Sequence, residues 1–286
     1  MSKFVLTGFA DEISANFSEQ LAGLRSLGMS HIELRGLDGT NISDLTCEQA
    51  KEYRRMLDDA GISVSALGSP IGKIDVTADF EPHYEKYLHT LELCEIFGTN
   101  YLRMFSFYYP KQDGPEVYRS AVIERVGRFV TGAESYPVTL LLENELNLYG
   151  DTAPRVLDVL RSIDSPRLRH TFDPANYILA PQTVYPDAYE MLSGYIEYVH
   201  IKDAIREPQS IQPAGLGEGR VKDVLAALWK KGYEGFLSLE PHLGNFVGLS
   251  SFQTLLDTSK LPEGGLGTFT VAHTALTGLL RELGAC

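Results

Sequence analysis

Cysteine is scarce in this chain. Cys47, Cys94 and Cys286 are odd in number, far apart and outside any metal-binding spacing, which excludes a disulfide framework and a zinc ribbon and makes a reducing cytoplasm the expected compartment. Positive charge is also in short supply: lysine and arginine total 25 against 38 acidic residues, a net charge of -13. Such a surface repels a polyphosphate backbone, and the longest basic clusters are the pairs Arg54-Arg55 and Lys230-Lys231, so no nucleic-acid partner is expected. No apolar run approaches the roughly 18 residues of a membrane span. The opening MSKFVLTGFADEIS acquires acids before any sustained apolar stretch forms, so neither a membrane partner nor a secretory leader is expected. The first strand-like run lacks a following G-x-G-x-x-G, the fingerprint of a dinucleotide fold.

What is present is alternation. Hydrophobic residues make up 44% of the chain and charged residues 22%, the balance of a globular protein. Eight short strand-like runs recur, at 4–9, 31–34, 62–67, 101–105, 138–143, 168–173, 198–202 and 236–240. Between them lie amphipathic segments. In Asn16–Leu27, the residues Phe17, Leu21, Leu24 and Leu27 fall on one helical face, and Gly28 closes the segment. The same helix-then-glycine pattern repeats in Cys47–Ala60 with Gly61, His83–Phe97 with Gly98, and Val221–Lys231 with Gly232, glycine being the residue that takes a left-handed C-cap without penalty. Eight such repeats predict an α/β fold, a (β/α)8 TIM barrel, with residues 1–286 as a single domain. Two Pro/Gly-rich segments break the repeat, at about 203–219 and 241–267. Both follow the seventh and eighth predicted strands, where barrel enzymes build their sites, and are read as active-site loops. Thr268–Leu283 is the predicted closing helix.

Four polar residues each close an apolar run: Glu143 after TLLL, Asp173 after LRHTF, His200 within YVHIKD, and Glu240 after FLSL. Their spacings match one strand-helix unit each, so all four belong at the same end of successive strands. Three carboxylates and one imidazole meeting there form a hard, oxygen-rich site suited to Mn²⁺, Mg²⁺ or Zn²⁺. Around them, Lys202 could hold a phosphate, carboxylate or enolate oxygen, or form a salt bridge to a carboxylate such as Glu240. Glu33 and Arg35 form a candidate inward pair. Arg103 and Lys73 are candidate substrate contacts, and His242 a further donor or ligand. Phe105, Phe107, Tyr108 and Tyr109 could wall the site or simply fill core. His170, out of phase with Asp173, is expected to face outward.

The segments IELRG (32–36), LLLENE (140–145), FDPANY (172–177), VHIKD (199–203), GLGEG (215–219) and LSLEPH (237–242) resemble the xylose-isomerase-like TIM-barrel superfamily of sugar phosphate isomerases and epimerases over nearly the whole chain. The resemblance implies one divalent ion held by Glu143, Asp173, His200 and Glu240, most often manganese in the epimerases. It also implies that Glu143 and Glu240 act as an acid/base pair, exchanging a proton beside a carbonyl through an enediolate. The ketose epimerases carry a histidine and a glutamate where this chain has Asn176 and Tyr149; the arginine six residues past the histidine ligand is retained as Arg206. The expectation is therefore a metal-dependent isomerase or epimerase of a sugar or sugar-like hydroxy-carbonyl compound, with Lys202, Arg206, Asn176, Arg103 and Glu33 as substrate contacts. The alternative is a lyase or dehydratase of a keto-sugar, keto-inositol or dehydroshikimate-like compound. The superfamily's apurinic endonuclease branch needs a trinuclear zinc cluster and more histidines than the seven here. A homo-oligomer is within what the resemblance implies.

Overall fold

A computed structural model describes residues 3–243 and 265–285. Eight parallel strands form one sheet: β1 (Lys3–Gly8), β2 (His31–Leu34), β3 (Ser63–Gly68), β4 (Tyr101–Met104), β5 (Thr139–Glu143), β6 (Leu168–Phe172), β7 (Ile196–Ile201) and β8 (Glu234–Leu239). Their hydrogen-bonded order is β1-β8-β7-β6-β5-β4-β3-β2. The two end strands, β1 and β2, lie against each other, so the sheet curls into a nearly closed barrel. Each expected strand is present, shifted by at most two residues at an end.

Helices α1 (Phe17–Ser26), α2 (Cys47–Ala60), α3 (Glu81–Phe97), α4 (Arg119–Gly132), α5 (Ala153–Ile163), α6 (Pro174–Leu179), α7 (Tyr189–Leu192), α8 (Val221–Lys231) and α9 (Gly265–Glu282) cover the barrel. Local chemistry sets their ends. Asn16 accepts the Glu19 N–H at the start of α1, and Thr46 and Gln49 form a reciprocal capping box on α2. Gly61 ends α2 at φ 66°, the left-handed region that a Cβ resists. Helix α3 begins two residues before the expected His83, because Pro82 in its first turn has no N–H to leave unsatisfied.

Two expectations need correction. The 203–219 segment is not plain loop: Asp203–Ile205 pairs antiparallel with Ser210–Gln212. Residues 265–267 of the second expected loop are helical, and α9 begins ahead of Thr268. Gly265 allows this start, since a Cβ there would come within 2.1 Å of the Ile13 carbonyl oxygen. Residues 244–264 of that loop lie outside the described residues.

The main core lies between sheet and helices, where Leu24, Leu57, Leu91, Phe97, Phe129, Leu160 and Leu225 are buried. A second, small cluster of Ala66, Leu141 and Tyr198, with Tyr101 and Phe236 against it, fills the barrel interior toward the strand starts. Inward positions further along the strands are polar. In register, Thr7 stands opposite Ser238, and Ser238 opposite His200. No helix among the described residues is long and apolar enough to cross a membrane.

Candidate metal centre

The strand pleat carries four side chains to one point. Glu143 is the last residue of β5, two positions past the inward Leu141. Asp173 follows β6 and caps α6, accepting the Asn176 N–H at 2.9 Å. His200 stands in β7, and Glu240 follows β8. One ligand atom from each lies within 4.8 Å of the others, and all four residues are buried.

The surroundings are dense with charge. His200 Nδ1 is 3.0 Å from Glu143 Oε1 and 3.2 Å from Glu240 Oε2. Lys202 Nζ lies 2.9 Å from Asp173 Oδ2 and 3.2 Å from Glu240 Oε2. Arg103 donates to Glu143 Oε2 at 2.8 Å. Arg35 pairs with Asp11 at 2.8 Å, Glu12 at 3.2 Å and Glu240 at 3.0 Å. Among the described residues, six buried acids (Asp11, Glu12, Glu33, Glu143, Asp173 and Glu240) thus gather around three permanent cations, Arg35, Arg103 and Lys202. Excess negative charge away from water is costly and is relieved either by protons or by a cation.

The titration directions express that excess. Burial pushes the Asp173 carboxyl up to about 7 in spite of Lys202, and burial likewise takes Glu12 to about 8 against the pull of Arg35. Burial also acts upward on Glu143, but His200 and Arg103 override it and hold the group at about 2. Glu240 is held well below its usual range because Lys202 and His242 outweigh its burial. The His200 ring, though buried, is driven well above its ordinary value by Glu143 and Glu33. Burial and the nearby Lys202 hold His242 down at about 3. Three carboxylates and an imidazole nitrogen with surplus negative charge suit a hard or borderline divalent ion.

The remaining expected residues divide. Lys202, Arg103 and Glu33 line the cluster as described, with Glu33 3.3 Å from His200 Nε2. Glu33 and Arg35 both point inward but pair with different partners, Glu33 with Ser238 and His200, and Arg35 with Asp11, Glu12 and Glu240. Asn176 donates to Glu143 Oε1 at 3.3 Å and to the Asn144 carbonyl at 2.9 Å, steadying Glu143. His242 Nε2 lies 3.2 Å from Glu240 Oε1. Lys73 reaches Glu145 at 3.1 Å and sits 4.2 Å from the Phe105 ring centre.

Arg206 does not join them. Its guanidinium donates to the carbonyls of Ile178, Ala180 and Gln182 and so braces the end of α6. The Tyr149 hydroxyl bonds Asp158 on α5. Of the aromatic group, Phe105 borders the site under Arg103, whereas Phe107 packs on Phe80 and Phe129 in the outer core and Tyr108 is exposed. His170 turns outward, bonding the Leu142 carbonyl and the Tyr177 hydroxyl.

Five residues at the site, Phe9, Asp11, Glu12, Asn144 and Asp203, escaped sequence reasoning. Phe9 sets its ring against His200, with centroids 5.3 Å apart, and lies under Arg35 at 4.3 Å. Gly68 makes room for it, as a Cβ there would come within 2.3 Å of that ring. Asn144 clasps Asp173 in both directions, at 2.9 and 3.0 Å. Asp203 accepts the N–H groups of Ala204, Gly215, Gly217 and Gly219 at 2.8 to 3.0 Å, which folds the GLGEG loop around one carboxylate. The only signals for the last two were the polar partners adjoining Glu143 and Lys202 in LLLENE and VHIKD.

A family model described as xylose isomerase-like TIM barrel matches residues 21–254. A curated relative, the 3-dehydroshikimate dehydratase of Bacillus anthracis, is 25% identical over 176 residues, which is 62% of this chain and 62% of that protein. The aligned region thus spans about three fifths of the relative's length. Among solved structures, L-ribulose 3-epimerase superposes with a TM-score of 0.74 at 20% identity, covering 99% of this chain and 96% of that one. The IOLI protein, solved with a zinc atom, gives a TM-score of 0.74 at 14% identity over 98% and 99%. At these identities the superpositions speak for the fold.

Proposed function

The chain belongs to the xylose isomerase-like TIM-barrel family, and on that premise we propose that it is a divalent-metal-dependent isomerase or epimerase of a small, sugar-like hydroxy-carbonyl compound. The observation that carries this reading is the convergence of Glu143, Asp173, His200 and Glu240 within 4.8 Å in a buried site. These four would hold the ion, Mn²⁺ first, with Zn²⁺ or Mg²⁺ as alternatives. A bound divalent cation supplies polarisation of a carbonyl and its neighbouring hydroxyl oxygen, which makes the adjoining C–H bond more acidic.

The chain's own groups do the rest. The Arg103 guanidinium, donating to Glu143 Oε2 at 2.8 Å, favours the ionised carboxylate, which would take a proton from carbon. As that C–H bond breaks, its electron pair becomes the enediolate double bond and negative charge builds on the carbonyl oxygen. The Lys202 ammonium, between Asp173 and Glu240, is placed to offset that charge. With Glu240 carrying a proton drawn beforehand from solvent, its delivery to the opposite face of the same carbon would invert the centre, the proton left on Glu143 then passing to solvent, whereas delivery of the Glu143 proton to the neighbouring carbon would isomerise the compound. Phe9 and Phe105 limit water around the reacting groups.

A second reading, a lyase, is favoured by the dehydratase activity named for the curated relative. The same proton abstraction would then be followed by loss of a β-substituent, the electron pair of the enediolate expelling it.

Proton NMR in D2O of the metal-loaded enzyme with ketoses, their phosphates, keto-inositols and 3-dehydroshikimate tests both. Deuterium uptake at carbon with changed configuration or a shifted carbonyl supports the first reading. Loss of water or another β-substituent replaces it with the second, and inertness toward every compound counts against both.

A further inference from the structure

Branched aliphatic side chains ordinarily fill the interior of a TIM barrel. Below the four clustered donors this barrel is polar instead. Thr7 of β1, Glu33 of β2, Ser65 of β3, Tyr198 of β7 and Ser238 of β8 are all buried there. Their side chains are joined: Thr7 Oγ1 to Ser65 Oγ at 2.8 Å, Ser65 Oγ to the Tyr198 hydroxyl at 2.9 Å, and Ser238 Oγ donating to Glu33 Oε2 at 2.5 Å. Thr7, Ser65 and Tyr198 thus form one chain of hydroxyls across β1, β3 and β7, and beside it Ser238 of β8 fixes the Glu33 carboxylate of β2.

That carboxylate lies under His200, its two oxygens 3.3 and 3.4 Å from Nε2. The other ring nitrogen, Nδ1, faces Glu143 and Glu240. An imidazole that ligates a cation offers one nitrogen lone pair and carries its proton on the other nitrogen, and the partner of that proton decides which is which. Flanking rings limit rotation: Phe9 stands edge-on at 5.3 Å and Tyr198 at 5.9 Å.

We infer that Glu33 is a positioning residue: it accepts the Nε2–H of His200, fixes Nδ1 as the nitrogen presented to a metal ion, and is itself held by Ser238. This rests on the metal-centre reading of the four-residue cluster, but it differs from the direct substrate contact expected of Glu33 from sequence, because the carboxylate sits behind the ring. A carboxylate hydrogen-bonded to the outer nitrogen also makes the inner one a better donor, and loss of such partners commonly weakens metal binding about 10- to 100-fold.

The test is calorimetric titration of metal-free wild-type, Glu33→Gln and Ser238→Ala proteins with Zn²⁺, with circular dichroism as the check on folding. A second measurement is 15N NMR of histidine-labelled, Zn²⁺-loaded wild-type protein, the His200 resonances being identified by their loss in His200→Asn. Zn²⁺ affinity should fall about 10- to 100-fold in Glu33→Gln and by a smaller factor in Ser238→Ala, with Nε2 protonated and Nδ1 metal-bound. Unchanged affinity in folded Glu33→Gln, or Nε2 as the bound nitrogen, overturns the inference. Should Glu33→Gln fail to fold, unchanged affinity in Ser238→Ala overturns it equally. None of these readouts is turnover, so an enzyme inert toward every hydroxy-carbonyl compound refutes the proposed reaction while weakened Zn²⁺ binding by Glu33→Gln still upholds the positioning role.

Discussion

Glu143 and Glu240 are the same residue type in different surroundings. Glu143 is held by one arginine, Asn176 and the His200 ring, whereas Glu240 is gripped by Arg35, Lys202, His200 and His242. If both move protons, Glu143→Gln and Glu240→Gln should each lower kcat by about 10²- to 10⁴-fold, measured on protein with its metal content verified; full turnover in either variant would remove that residue from the proton path. His170 makes a different kind of prediction. Burial lowers its pKa to about 4, below the ordinary 6.5, so the stability it confers is complete above pH 6.5 and is lost as pH falls through that value toward 4. For a fully buried ring the loss reaches about 3 kcal/mol. Urea denaturation at pH 7 and pH 4.5 should show a shallower acid loss for His170→Asn than for wild type, and parallel losses would refute the assignment. At this scale the four clustered residues were legible because a polar residue ending an apolar strand is conspicuous. Phe9 was not, because an aromatic residue at a strand end looks like ordinary core. Arg206 came from the resemblance alone, and in this chain its guanidinium donates to the carbonyls of Ile178, Ala180 and Gln182.

Among the elements, the glycine ends of helices were the most readable features, since Gly61, Gly98 and Gly232 each close one in the left-handed region. The ribbon after β7 was not readable. Its segment, rich in proline and glycine, has no periodicity, and its shape comes from one carboxylate binding backbone amides up to 16 residues away. Asp203→Ala should therefore destabilise the protein by roughly 3 kcal/mol, the scale of losing a charge-assisted hydrogen-bond set, and should speed proteolysis within 203–219. Gly217→Ala should have the same effect from the other side, because its Cβ would come within 2.4 Å of Asp203 Oδ1 and 2.5 Å of the Ala204 carbonyl oxygen. Chemical denaturation and limited proteolysis check both, and a loop as resistant as wild type in either variant would contradict the anchor.

For the molecule as a whole, eight repeats of strand, helix and glycine were enough to specify the barrel, because one parallel strand needs a helical crossover to reach the next. The polar interior was less legible: inward and outward positions are assigned by closure, which joins residues as distant as Thr7 and Ser238. The surplus of buried acids makes a global prediction. A divalent ion binding only the folded state at about 100 times its Kd adds about 2.7 kcal/mol, so Mn²⁺ or Zn²⁺ should raise Tm by about 5 °C and a chelator should reverse the rise. A Tm indifferent to both would count against a metal at the cluster. The four donors all come from β5 through β8 or the residues directly after β6 and β8, which gives the site a place in time as well as in space. On the ribosome the first 140 residues emerge with Phe9, Glu33, Arg35 and Arg103 but with none of those donors. The last donor, Glu240, appears only as β8 becomes free to pair with β1, so the four donors form a complete set only once the barrel can close, and a nascent chain would offer no complete cation trap to fill early with the wrong metal.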